Sequence, residues 1–138
     1  MTAEQMIATL GLEPHPEGGW YRETWRAAAS LPDGRATATA ILFLLEAGGR
    51  SHWHRVDAEE VWIFQAGAPL TLRTGFEGGP ISTTRLGIVD GSPQHVVRAH
   101  EWQSAEADGG GWTLVACTVS PGFRFEGFEL APPGWSPN

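Results

Sequence analysis

His52-Trp53-His54-Arg55-Val56-Asp57-Ala58-Glu59-Glu60-Val61-Trp62-Ile63-Phe64-Gln65-Ala66-Gly67 is the stretch that decides how the rest of the chain is read. Side chains on an extended strand alternate faces, so His52 and His54 are expected to point the same way. A turn-like segment, residues 55–58, leads to a carboxylate and then to an apolar run that ends in glycine. That order gathers imidazoles and a carboxylate at the mouth of a barrel, where a metal or a polar ligand finds a place. Along the run, Glu60, Trp62 and Phe64 share one face, while Val61 and Ile63 take the other. If the first face looks into a cavity, the second needs a cover, which points to a dimer.

The flanking sequence reads as further strands. Residues 37–45 are apolar on both faces, so they are expected to be covered by the core and by another sheet or subunit. Residues 20–26, 69–74, 81–89, 94–98, 102–105, 112–120 and 123–130 complete the set, with Gly127 read as a bulge in the last. Between them lie turns such as Leu31-Pro32-Asp33-Gly34, where proline presets φ and glycine accepts a positive one. At the start, Thr2 and Gln5 form a capping box for a helix over residues 3–10, which Gly11 stops. The pattern predicts an all-β fold, a sandwich or barrel of antiparallel strands with a short N-terminal helix. One domain over residues 1–138 is expected, its barrel spanning about 18–130.

Composition narrows the function. The 138 residues are 41% hydrophobic and 18% charged, which suits a folded globule rather than a disordered chain. All 9 basic residues are arginine, so lysine Schiff-base chemistry is excluded. A formal net charge of -7 opposes binding to nucleic acid or anionic lipid. The single cysteine, Cys117, sits in an apolar run as a buried thiol. Residues 1–10 do not have the pattern of a signal peptide, and a cytoplasmic protein is expected.

The stretch from His52 to Gly67 resembles the first motif of the cupins, small jelly-roll barrels with His-x-His, three or four residues, Glu, six residues, Gly. Six residues separate Glu60 from Gly67, while five lie between His54 and Glu60. Glu60 is preferred to Glu59, because the strand leading to Gly67 fixes its face. His15-Pro16-Glu17-Gly18-Gly19, Trp53-His54-Arg55, Glu60-Val61-Trp62, Leu86-Gly87, Pro93-Gln94 and Thr118-Val119-Ser120-Pro121-Gly122-Phe123 together resemble one family of small single-domain cupins of unknown function. The resemblance covers roughly residues 3–130. It implies a homodimeric antiparallel cupin jelly-roll barrel with a pocket inside, and brings no established reaction. In the second cupin motif a third histidine is usual, and here the matching position is Gln103, a weak ligand for transition metals.

These readings nominate His54, Glu60 and Tyr21, the sole tyrosine, as acid–base groups. His15, Glu17, Trp62, Phe64 and Gln103 are nominated to line a ligand pocket. His52, His54 and Glu60 are the set for a divalent metal, and a pocket without metal is the other reading. Each has a plainer role beside it: Glu60 as a buried carboxylate held by Arg55, Tyr21 as packing, most tryptophans as core. The expected function is binding of a small, carbohydrate-like molecule. The alternatives are a metal-independent sugar isomerase or epimerase, and a metal-dependent oxygenase.

Overall fold

The computed structural model describes residues 1–138. It opens with a helix, α1 (Ala3–Leu10), whose N-cap Thr2 and Gln5 exchange the two hydrogen bonds of a capping box. Gly11 ends it with φ 64°, a left-handed conformation that glycine adopts without cost. The strands follow as β1 (Glu13–Pro14), β2 (Trp20–Arg26), β3 (Thr39–Leu45), β4 (Arg50–Val56), β5 (Glu59–Gly67) and β6 (Leu70–Gly75). They continue as β7 (Ser82–Leu86), β8 (Gln94–Val97), β9 (Trp102–Glu106), β10 (Thr113–Ser120) and β11 (Phe128–Leu130).

All pairings within the sheets are antiparallel, in two sheets. One has the order β1-β2-β3-β10-β5-β8 and the other β11-β4-β9-β6-β7. Consecutive strands cross between sheets (β3 to β4, then β4 to β5), which is the wrapping of a jelly roll. Phe43, Leu45, Trp62, Val115 and Cys117 of the first sheet meet Leu70, Leu72, Leu86 and Ala105 of the second in one core. At roughly 25 cal/mol per Å² of apolar surface removed from water, this core is the main stabilising contribution of the fold.

The outer face of β3 is covered from within the chain. Leu44 packs with Leu12 and Leu114 under Met6, Ile7 and Leu10 of α1. The sheet or subunit expected there is therefore, at this end of the strand, the protein's own N-terminal helix. No helix is long and apolar enough to cross a membrane.

One predicted strand is corrected. Residues 123–130 do not run extended: Phe125–Gly127 forms a 3-10 turn, and only Phe128–Leu130 pairs, with β4. A Cβ at Gly127 would overlap the Asp57 carboxylate, so this glycine lets the turn sit directly on that side chain. Asp57 in turn accepts from Arg35 at 2.7 Å and Arg124 at 3.2 Å, which fixes the turn at the rim of the barrel. The alternation of Phe123 and Phe125 thus comes from two rings packed edge to face at 5.0 Å, not from a pleated strand.

Candidate functional site

The site begins with a loop that folds inward. After β1 the chain turns through His15 to Gly19, closed by backbone bonds between His15 and both Gly18 and Gly19. Gly18 has φ 106°, and a Cβ there would collide with the Arg50 carbonyl. Only glycine lets the loop lie this close to β4, where the His52 amide donates to the Glu17 carbonyl at 2.8 Å. The Glu17 side chain is thereby directed inward and is 7% exposed.

β4 supplies the next group through an irregularity. Ser51 pairs with Ala105 and His54 with Gln103, so three residues of β4 advance against two of β9. This is a β-bulge, and the extra residue breaks the alternation of faces. His54 is buried at 3% exposure, while His52 turns away and its Nε2 contacts the Pro132 carbonyl oxygen at 2.9 Å. The expectation that the two histidines share a face is corrected: His54 points into the barrel and His52 away from it.

His54 and Glu17 meet at 2.5 Å between Nε2 and Oε2. Ser51 Oγ donates to the same carboxylate oxygen at 3.0 Å. His54 Nδ1 faces the His52 carbonyl oxygen at 2.8 Å, which makes it a donor there. With both nitrogens turned to acceptors, His54 is an imidazolium. Burial by itself would lower its pKa, but the Glu17 charge and hydrogen bond outweigh that and raise it. Glu17 shows the counterpart. Burial would raise its pKa, and the charge and hydrogen bond of His54, with the hydrogen bond from Ser51, hold it below the usual carboxylate value.

Glu60 lies on β5 and is buried, whereas Glu59 is exposed, as the strand leading to Gly67 requires. Its Oε1 accepts from Gln103 Nε2 at 2.8 Å. Gln103 Oε1 accepts in turn from the Trp62 indole at 2.7 Å. An indole N–H only donates, so the Gln103 oxygen must face Trp62 and its NH2 must face Glu60. Burial and the Glu17 charge push the Glu60 carboxyl above its ordinary value, against the opposing pull of His54 and Gln103. The two carboxyl groups are thus shifted in opposite directions within one site, a separation typical of acid–base chemistry.

Glu17, His54, Glu60, His15 and Tyr21 line one cavity of about 170 Å³. Its other wall is apolar, with Val56, Val119, Phe123 and Phe128. Of the expected pocket residues, Trp62 and Gln103 stand behind Glu60 rather than in the cavity. Phe64 is elsewhere: it borders a separate depression with Pro69, Ile88 and Val89. Tyr21 keeps a neutral phenol, its pKa raised by partial burial and by the charges of Glu13 and Glu23.

Sequence reasoning missed Ser51, Glu13 and Glu23. The last two had a readable signal. Glu23 lies two residues from Tyr21 on β2, and Glu13 is the cross-strand partner of Tyr21, so all three share a face. Ser51 had none, because the bulge that turns it inward leaves no mark in the residue pattern.

The donors of this site do not suit a divalent metal. His54 has no lone pair free, Gln103 presents N–H groups to Glu60, and His52 is turned away. No group of three or more His, Cys, Asp or Glu is arranged to hold a metal ion. The side chains as placed do not fit one.

Residues 4–131 match the profile of the Cupin superfamily (DUF985). The chain belongs to this cupin family. It is similar to a hypothetical protein from Leishmania major, with 32% identity over 95% of this chain and 88% of that one and a TM-score of 0.86. A protein from Shewanella oneidensis is 38% identical over 95% of this chain and 85% of that one, with a TM-score of 0.89. Oxalate decarboxylase from Bacillus subtilis shares the fold at 17% identity, over 85% of this chain and 29% of that one, with a TM-score of 0.66. No curated protein matches the chain. The cupin jelly roll expected from the His52-to-Gly67 stretch is therefore the fold of this chain.

Proposed function

We propose that this cupin binds a small polar molecule in the cavity and moves protons on it without a metal, as an isomerase or epimerase does. The observation that carries this reading is the Glu17 carboxylate, held by His54 at 2.5 Å, facing the same cavity as Glu60, whose carboxyl is pushed above its ordinary value by burial and by the Glu17 charge. Glu17 is the base in this scheme, because His54 has no lone pair to offer while its two contacts stand. His54 keeps Glu17 charged, and Glu60 is the acid. Drug-sized ligands occupy about 300–1,000 Å³, so 170 Å³ suits a ligand of monosaccharide size or less. The rim arginines are already partnered, Arg26 by Glu23 and Arg124 by Asp57, which disfavours a nucleotide diphosphate.

The test is exchange of carbon-bound hydrogen for deuterium in D2O, followed by proton NMR over a panel of small aldoses and ketoses. Exchange that is lost in Glu17→Gln and Glu60→Gln supports the reading. Absence of exchange with every member, while the same compounds bind, leaves a binding module and sinks the catalytic part.

A homodimer is proposed through the outer face of the six-stranded sheet. Trp25, Ala40, Thr118, Val61 and Val96 are successive cross-strand partners and form one row across that face. Trp25 is 53% and Val96 52% exposed, and the row carries no charge. Sedimentation at micromolar concentration should give a dimer that Val96→Arg converts to monomer without unfolding. A monomeric unmodified protein would refute this.

A further inference from the structure

The least obvious group in the cavity is His15. The backbone N–H of Glu17 donates to His15 Nδ1 at 3.2 Å, so Nδ1 is an acceptor and the proton of the neutral ring sits on Nε2. The Glu17 Oε1 atom lies 3.4 Å from the same Nδ1, but the amide has already claimed that lone pair and no ion pair forms. Burial lowers the pKa of His15, in keeping with a neutral ring. The ring cannot swing away. Tyr21 packs on it edge to face at 4.5 Å, with Phe128 at 5.9 Å and Phe43 at 6.0 Å.

Nε2, on the far side of this fixed ring, has no partner in the protein. The side chain is 5% exposed and borders the cavity. The sealed side-chain polar atoms without a partner are Trp102 Nε1 and Arg124 Nε, so His15 Nε2 is open and not buried dead. A rigid, neutral, unpaired N–H donor therefore looks onto the cavity shared with Glu17 and Glu60. The Tyr21 hydroxyl, also without a protein partner, is a second donor on the same wall. Glu13, Glu17, Glu23 and Glu60 border the space together with Arg26, Arg124 and His54, and these cations are already engaged by Glu23, Asp57 and Glu17, so the lining offers an anion no unpartnered charge.

We propose that His15 Nε2–H receives the ligand's carbonyl oxygen, and that the cavity selects small neutral carbonyl compounds over their alcohol and carboxylate counterparts. This rests on the proton-transfer reading above and gives it a substrate class. His15 Nε2–H and the Tyr21 hydroxyl both border the cavity in which negative charge grows on oxygen when an adjacent C–H loses its proton to Glu17. The C–H electron pair becomes the C=C bond of the enol, and the carbonyl oxygen takes a proton from Glu60. A neutral imidazole suits this task, since an imidazolium beside Glu17 would pair with it instead.

The experiment uses the whole protein and has two readouts. Long-range proton–nitrogen NMR at pH 7 reports the His15 tautomer without any ligand; the neutral Nε2–H form is expected, and Nδ1–H or imidazolium overturns the proposal. Binding is then measured by ligand-observed NMR with dihydroxyacetone and glyceraldehyde, against glycerol and glycerate. The carbonyl compounds should bind about tenfold tighter than glycerol, the worth of one good hydrogen bond, and glycerate weaker still. His15→Phe, which keeps a ring for Tyr21 to pack on, should lose that preference, and His15→Gln should restore part of it. Equal binding of glycerol, or an undiminished preference in His15→Phe, refutes the role of His15 while leaving proton transfer by Glu17 and Glu60 standing. Binding of none of the four compounds at millimolar concentration refutes the substrate class, whereas exchange lost on Glu17→Gln is read independently of it.

Discussion

Replacing Glu17 by glutamine tests the centre of the site, because it removes one charge and keeps the shape. His54 would then face an amide, and burial, the largest influence on it, would pull its pKa down. It sheds its proton, and the bare Nε2 accepts from the new N–H. No unpaired charge stays buried, so the expected loss is about 2 kcal/mol, below the ~3–5 kcal/mol of a one-sided break in a buried pair. The pH dependence is the sharper signature. The folded pKa of His54 is raised, so its contribution is full below its unfolded value of 6.5 and lost as pH rises through the folded one. Glu17 is lowered, so its contribution is present above 4.5 and lost as pH falls through its folded value. Both therefore act together between those two limits. Glu60, raised above 4.5, adds a fall of stability with rising pH, and losing the Glu17 charge shortens it. Urea unfolding followed by tryptophan fluorescence at about pH 5.5 and about pH 8.5 should show a variant deficit that shrinks on the alkaline side. The shrinkage is bounded by ~1.4 kcal/mol per pH unit for one proton. A deficit equal at both pH values would refute the buried ion pair.

Gln103→Leu should cost about 2–4 kcal/mol in urea unfolding, because Trp62 Nε1 and Glu60 Oε1 are both left buried without a partner; a loss under about 1 kcal/mol would break the relay reading. Gly127→Ala should cost about 1–3 kcal/mol, since its methyl overlaps the Asp57 carboxylate under the rim turn, and an unchanged unfolding midpoint would refute that contact. Metal content by mass spectrometry, after incubation with iron, manganese, nickel and zinc in turn, should show no stoichiometric ion. About one per chain, lost in His54→Ala, would overturn the metal-independent reading.

Much of this was legible in the residues. Helix α1 was written in Thr2, Gln5 and Gly11, whose effects are local and need no tertiary partner. The choice of Glu60 over Glu59 followed from strand alternation alone, because β5 runs regularly from Glu60 to Phe64. Where alternation failed, a long-range contact had intervened. His52 and His54 diverge because β4 bulges against β9, and the pairing of Arg50 with Glu106 and His54 with Gln103 is set by a strand some fifty residues away. Phe64 fails differently. It follows Trp62 on the same face, but the barrel is long enough for the two to serve opposite ends, Trp62 backing Glu60 and Phe64 bordering Ile88. Periodicity gives a face and not a height along the barrel.

Two local decisions then determine the chemistry, and neither is the loss of a ligand by itself. Gln103 still has a carbonyl oxygen, and an amide oxygen can bind a cation. What removes it is Trp62, whose donor-only indole takes that oxygen and leaves N–H groups for Glu60. His54 still has two nitrogens, and what occupies them is the bulge at one side and the inward Glu17 loop at the other. The two arrangements support each other. Burial and Glu17 in the barrel raise the Glu60 pKa, which disfavours a second buried anion beside Glu17. Placing a histidine at position 103 alone would therefore not rebuild a metal site, because His52 stays bulged outward and Glu17 still holds His54. Zinc titration of Gln103→His should show no gain over the unmodified protein. A tight one-to-one complex would mean that the Glu17–His54 pair opens more readily than its 2.5 Å contact implies.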